Sequence, residues 1–238
     1  MLLGASVRIG RCFLVNWIKR DPVAYITMSK YIAQGELEKA ISIRPELPPL
    51  HIMLMAALEK IGFSAEHAGV LISLISGTLI ILAIFLIAAI FFNDKIALLA
   101  AFMASLQTEL VQNSIFILRD SLSLCFALFA LYYAMWAVQK HVWWKWCLAG
   151  FFTGLCALTR PLGIGIFLVI PLWIVISFVF CPVERRQILT KCLPGFILFM
   201  IFFCAIVLPV QNYFHHYGSI YTVFLNRKIL NIFLGLNI

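Results

Sequence analysis

Residues 68–92, AGVLISLISGTLIILAIFLIAAIFF, run for 25 positions without a charge. As an α-helix this stretch is about 37 Å long at ~1.5 Å per residue, enough to cross a hydrocarbon core of ~30 Å with some tilt. The rest of the 238-residue chain follows its character. Hydrophobic residues make up 63% and charged residues only 12%, with a mean hydropathy of +1.02, whereas a soluble domain is roughly half apolar and about a quarter charged. A soluble globular domain, a disordered chain, a nucleic-acid-binding arm and a disulfide-stapled secreted module are all excluded on that ground. The chain reads as an all-α, polytopic transmembrane helix bundle.

Working outward from 68–92, Asn93-Asp94-Lys95 form a polar turn, and a further uncharged run ends where Glu109, Gln112 and Asn113 interrupt it. Spans are expected at about 65–92, 96–108, 121–138, 146–158, 162–180 and 193–210, within one membrane domain, 1–238. Arg160-Pro161 divides two of them as a turn or a kink, because proline cannot continue a helix without losing a hydrogen bond. A seventh, truncated span is expected at 1–18. No signal peptide is expected, since Arg8 and Arg11 follow Val7 without an apolar stretch ending at a cleavage site. The seven cysteines, at 12, 125, 147, 156, 181, 192 and 204, form no C-x-x-C pair and read as small buried hydrophobes.

Alternating the spans gathers Lys95, Lys140, Lys145, Arg185, Arg186 and Lys191 on one side, which the positive-inside rule makes cytosolic. Trp136, Trp143, Trp144 and Trp146 flank a loop on that side and read as an aromatic belt. The opposite face receives 19–64, the loop around Glu109 to Asp120, the Arg160-Pro161 turn and the segment 211–238. In 19–64, Asp21-Pro22 reads as a cap with proline in the first helical turn and Gly35 as a stop. Pro48-Pro49 opens a second helix that Gly62 closes, so two short interfacial helices are expected.

Asp21 is a carboxylate just outside the membrane, able to serve as general base toward a hydroxyl, and Asp120 is a second acid at the same face, although each also reads as an ordinary helix cap. The two acids and Arg160, arriving at one membrane face from separated parts of the chain, suit a site for an anionic lipid headgroup, since guanidinium grips phosphate in bidentate fashion; interfacial snorkelling explains Arg160 about equally well, and Arg119 reads as the interfacial neighbour of Asp120. His215 and His216 are adjacent, so their side chains diverge, and no Cys or carboxylate spacing completes a metal site. No nucleotide-binding loop or nucleophile elbow is present.

Arg8, Asp21-Pro22-Val23-Ala24-Tyr25, Ile32-Ala33-Gln34-Gly35 and Arg44-Pro45-Glu46-Leu47-Pro48-Pro49-Leu50 together resemble the first outer loop of GT-C fold glycosyltransferases that use polyprenyl-phosphate sugars. Leu118-Arg119-Asp120-Ser121-Leu122, Gly154-Leu155-Cys156-Ala157-Leu158-Thr159-Arg160-Pro161 and Pro209-Val210-Gln211-Asn212-Tyr213 with Gly218 resemble later landmarks in the same order. The group is similar to protein mannosyltransferases and aminoarabinose transferases. The resemblance implies a GT-C-like bundle that moves a sugar, with inversion, from a polyprenyl or dolichyl phosphate to a hydroxyl acceptor on the non-cytosolic face. It implies Asp21 as catalytic base, Asp120 as an assisting acid, and Arg119 and Arg160 as ligands of the carrier phosphate. Neither a metal nor any other cofactor is required, because arginine stabilises the charge growing on a phosphate leaving group.

The partners implied are the lipid-linked donor, the hydroxyl acceptor and the bilayer, with no nucleic acid. A bacterial inner or plasma membrane is favoured over the endoplasmic reticulum. Many relatives carry Arg-Asn where Gln211-Asn212 stands here, and they continue through further spans, so the chain resembles the N-terminal half of such an enzyme. A transporter or flippase component and an inactive half-enzyme are the competing readings.

Overall fold

A computed structural model describes residues 2–12, 20–140, 142–180, 193–219 and 221. The described residues form helices and connecting turns: α1 (Leu2–Cys12), α2 (Arg20–Ala33), α3 (Leu37–Ile43), α4 (Leu50–Lys60), α5 (Ala65–Phe91), α6 (Asp94–Leu106), α7 (Thr108–Ile115), α8 (Arg119–Lys140), α9 (Trp143–Thr159), α10 (Leu162–Phe180) and α11 (Leu193–His216). Three of them, α5, α8 and α11, are long and apolar enough to cross a membrane. The basic residues Arg185, Arg186 and Lys191 and most of the segment after 219 lie outside the described residues.

The helix ends follow local chemistry. Ser64 caps α5 by accepting the His67 N–H at 3.3 Å, and Asn93 caps α6 by accepting the Ile96 N–H at 3.0 Å, each satisfying a donor that the first turn leaves unpaired. Gly35 and Gly62 close α2 and α4 with φ of 85° and 103°, the left-handed conformation that glycine adopts without a Cβ penalty. Arg160 is extended between α9 and α10, so Arg160-Pro161 is a turn between two helices.

Three local expectations are corrected. The outer segment holds three helices rather than two: after Gly35 the chain re-enters a helix at Leu37, whose inner face buries Ala40 and Ile41. The stretch that begins at Thr108 is helical through Ile115, with Val111, Ser114 and Ile115 buried and Glu109 exposed. Trp146 is not part of a belt; it is 1% exposed and packs where a Cβ on Gly195 would stand 2.2 Å from its ring. Trp136 and Trp144 instead face the Lys145 ammonium, 3.6 and 3.7 Å from their ring centroids, a cation–π arrangement that lets a lysine be buried.

The bundle is organised around α9, which packs against both α8 and α11, while α5 joins α8 to α6 and α10 lies on α9 and α8. α1 fits between α5, α6 and α7, and α2 to α4 form a layer seated on α5 and the end of α9. In lipid no hydrophobic effect drives helices together, so close backbone approach across small residues takes its place. Ala127, Ala130, Ala134 and Ala137 line α8 at helical spacing and meet Ala149 and Cys156 of α9. A Cβ on Gly150 would lie 2.3 Å from the Phe199 carbonyl oxygen, and one on Gly154 would lie 3.2 Å from Ile206. Gly150→Ala is therefore expected to lower thermal stability in detergent by about 1–3 kcal/mol through overpacking. Gly165→Ala, with nothing within 4 Å, is the matched control and should be neutral or slightly stabilising; equal losses in the two variants would contradict the packing.

Candidate functional site

α8 and α9 are antiparallel neighbours, so the first turn of α8 meets the last turn of α9, and both ends carry arginine. The Arg160 guanidinium pairs with the Asp120 carboxylate. One turn along from this pair, the Cys156 thiol donates to the Ser123 carbonyl at 3.4 Å and lies 3.5 Å from the Ser123 hydroxyl, fixing the register of the two helices. Ser73 of α5 donates to the Leu118 carbonyl at 3.4 Å, which anchors the chain just before Arg119. Asp120 thus sits inside the first helical turn, where a carboxylate also complements the helix dipole. Its ion pair is half exposed, and pairs of that kind contribute roughly 0–1 kcal/mol.

The first outer loop comes to the same end. Pro45 is held by two bonds from the far end of the chain: its carbonyl accepts from the Ser219 hydroxyl at 3.0 Å and from the Tyr221 N–H at 3.2 Å, and the Tyr221 hydroxyl in turn donates to the Ala157 carbonyl of α9. Arg44 Nε donates to Glu46 at 2.9 Å. The Glu46 carboxyl is held below its ordinary range by a backbone N–H, then by Arg44, with Arg119 adding a further pull.

Arg119 is the electrostatic centre of this end: its charge reaches Glu46, His51 and Tyr221. Burial pushes the Tyr221 phenol up and Arg119 opposes it. Arg44, Arg119 and Arg160 stand against Glu46 and Asp120, an excess of cation at the positive end of helix α8, which is an arrangement that favours an anion.

Of the residues expected to form a site, Arg119, Asp120 and Arg160 are brought together. Asp21 is the second residue of α2 rather than its cap; its side chain lies outside the described residues. Three residues not singled out from the sequence also belong here. His51 is 1% exposed, with both ring nitrogens buried and unpartnered and the Tyr25 ring set edge-on at 5.5 Å. Ser121, next to Asp120, has a buried hydroxyl without a partner. Tyr221 closes the loop as described. The only sequence signal for His51 was a polar residue at the start of an otherwise apolar helix, directly after Pro48-Pro49-Leu50.

Among known proteins, the family model of dolichyl-phosphate-mannose-protein mannosyltransferase matches residues 46–213, more than two-thirds of the chain. Glu46, His51, Arg119, Asp120 and Arg160 lie within the matched stretch, and Asp21 precedes it. No curated protein and no solved structure matches.

Burial, and then the charge of Arg119, lowers the His51 pKa from 6.5 to about 4. A group whose folded pKa is depressed binds fewer protons folded than unfolded below pH 6.5, so its contribution is complete above that pH and is lost as pH falls toward about 4. Melting temperature should fall by ~5 °C or more across that window. In His51→Leu this part of the pH profile should flatten, and an unchanged profile would show that His51 is not the titrating group.

Proposed function

The chain belongs to the dolichyl-phosphate-mannose-protein mannosyltransferase family, and from that premise we propose that it transfers a sugar from a polyprenyl or dolichyl phosphate to a hydroxyl acceptor on the non-cytosolic face of its membrane. The observation that carries this reading is the meeting of Arg119, Asp120 and Arg160 at one end of the bundle, beneath the loop that Ser219 and Tyr221 tie down. A guanidinium has five N–H donors. Asp120 engages Arg160 through one nitrogen and orients the plane, leaving further donors for phosphate oxygens. Arg119, half-buried beside it, supplies the second cation.

In this reading the acceptor oxygen attacks the anomeric carbon from the side opposite the phosphate, and Asp21 takes the proton of the hydroxyl. The carbon–oxygen bond to the phosphate breaks, and its electron pair leaves with the phosphate. The configuration at carbon inverts. Arg119 and Arg160 stabilise the charge that accumulates on the leaving group, which is greater in the transition state than in the bound donor and so accelerates the step rather than merely tightening binding. A face open to the lumen or periplasm places acceptor and loop together, with the lysine-bearing turns around Lys95 and Lys145 on the cytosolic side. A bacterial inner or plasma membrane fits this arrangement.

The test is sugar transfer in purified membranes from a labelled polyprenyl-phosphate hexose. Asp21→Asn should reduce turnover by about 10²–10⁴-fold while donor affinity is kept, as expected for loss of a general base. Arg160→Gln should weaken donor binding by about 10-fold or more and lower turnover as well. Transfer unaffected by both substitutions would refute this assignment of roles, and donor binding with no transfer by the wild-type chain would favour an inactive half-enzyme.

A further inference from the structure

Most buried polar groups in a folded protein have a hydrogen-bond partner, and each one left without requires a reason. Among the described residues, unpartnered buried side-chain atoms occur on Arg8, His51, Glu59 and Ser121, and of these His51 is unpartnered at both nitrogens while lying within reach of the charge of Arg119. We propose that His51 reads the sugar of the donor: its buried imidazole, beside the arginine that holds the carrier phosphate, takes hydroxyl groups of the attached sugar as its missing partners. This inference rests on the transferase reading and adds to it the residue that distinguishes a loaded carrier from an empty one.

Chemistry narrows the partner. A neutral imidazole has one donor and one acceptor nitrogen. A phosphate oxygen or a carbonyl satisfies only the donor, and an ammonium group only the acceptor, whereas a hydroxyl suits either nitrogen in either tautomer. Position narrows it further. The sugar is joined to the phosphate at its anomeric carbon, so its ring lies within a few ångströms of whichever guanidinium grips the phosphate, and the start of α4 lies at that end: Leu50, the residue before His51, packs on the cluster of Ala157, Leu158 and Tyr221, with the charge of Arg119 reaching the imidazole. The Tyr25 ring stands edge-on to the imidazole with centroids 5.5 Å apart, and the sugar reaches the imidazole by displacing that edge.

The unpartnered state also sets the sign of a control. Replacing an unsatisfied buried polar group by an apolar one of similar size removes a desolvation cost rather than a contact. His51→Leu should therefore melt no lower than wild type at neutral pH. A histidine kept for structure would behave in the opposite way.

The experiment is equilibrium binding of two probes, polyprenyl phosphate and polyprenyl-phosphate hexose, to the full chain in lipid nanodiscs at neutral pH, with melting temperature measured on the same samples. Wild type should bind the sugar-bearing carrier about 10-fold or more tighter than the bare one, one such hydrogen-bonded recognition being a tenfold effect for each 1.4 kcal/mol. His51→Leu should keep its affinity for the bare carrier, bring the two affinities within about 2-fold, and melt no lower. A preference that survives in His51→Leu overturns the proposal, as does loss of both probes together with a lowered melting temperature. Wild-type binding of neither carrier would instead overturn the transferase reading beneath it.

Discussion

The backbone of α9 approaches the backbone of α11 so closely that Gly150 has no room for even a methyl group against the Phe199 carbonyl. The rest of the arrangement depends on that proximity. With α11 seated on one flank of α9 and the alanine stripe of α8 on another, the helix is fixed in rotation and in height. The residue at its end, Arg160, then has one place to go, beside Asp120 at the start of α8. Close packing stands in here for the hydrophobic drive that lipid does not supply, and it turns the geometry of three helices into the geometry of a charged pair.

The same dependence governs the site. The Phe167 ring of α10 packs, tilted, on Phe203 of α11 with centroids 4.5 Å apart, and α9 packs against both helices, so the Arg160-Pro161 turn is held among them. Cys156 and Ser123 pin α8 from the other side. Arg119 and Arg160 are therefore presented at the ends of packed helices rather than from a free loop, and binding sites built that way hold their geometry to fractions of an ångström more readily. The uncovered cost is visible next to them in the buried, unpaired atoms of His51 and Ser121. Ser121 adjoins Asp120 in the chain, and unsatisfied groups of this kind are common where a protein must leave room for another molecule's hydrogen bonds.

Much of this was legible in the sequence, and what was not has physical reasons. The uncharged length of 68–92 dictates α5 because a bilayer core leaves a backbone few other options, and proline after Arg160 dictates the break. The grouping of Arg119, Asp120 and Arg160 follows from counting spans. Helix α3 escaped notice because seven residues carry too little periodicity, and α7 because Glu109, Gln112 and Asn113 read as a loop although they occupy one side of a short helix. Trp146 near a lysine-rich turn looks interfacial until the glycine that makes room for it, Gly195, is brought alongside from 49 positions away. His51 is of the same kind: its burial involves the Tyr25 ring, 26 positions earlier, and that relation is not written in its neighbours. Asp21 keeps its place on α2 at the level of the backbone.

Pro45 bonds Ser219, 174 positions later in the chain, and that link has a meaning in time as well as in space. At a synthesis rate of ~5–20 residues per second, roughly 10–35 s separate the emergence of the two ends of this bond. During that interval the loop bearing Pro45, which leads into α4 and His51, exists without its tether, while helices are still being threaded into the bilayer one after another. The order of manufacture thus places the fastening of this loop after the synthesis of the helices that precede Ser219. A ribosome that stalls short of Ser219 releases a product with its helices in place and its first loop still unfastened.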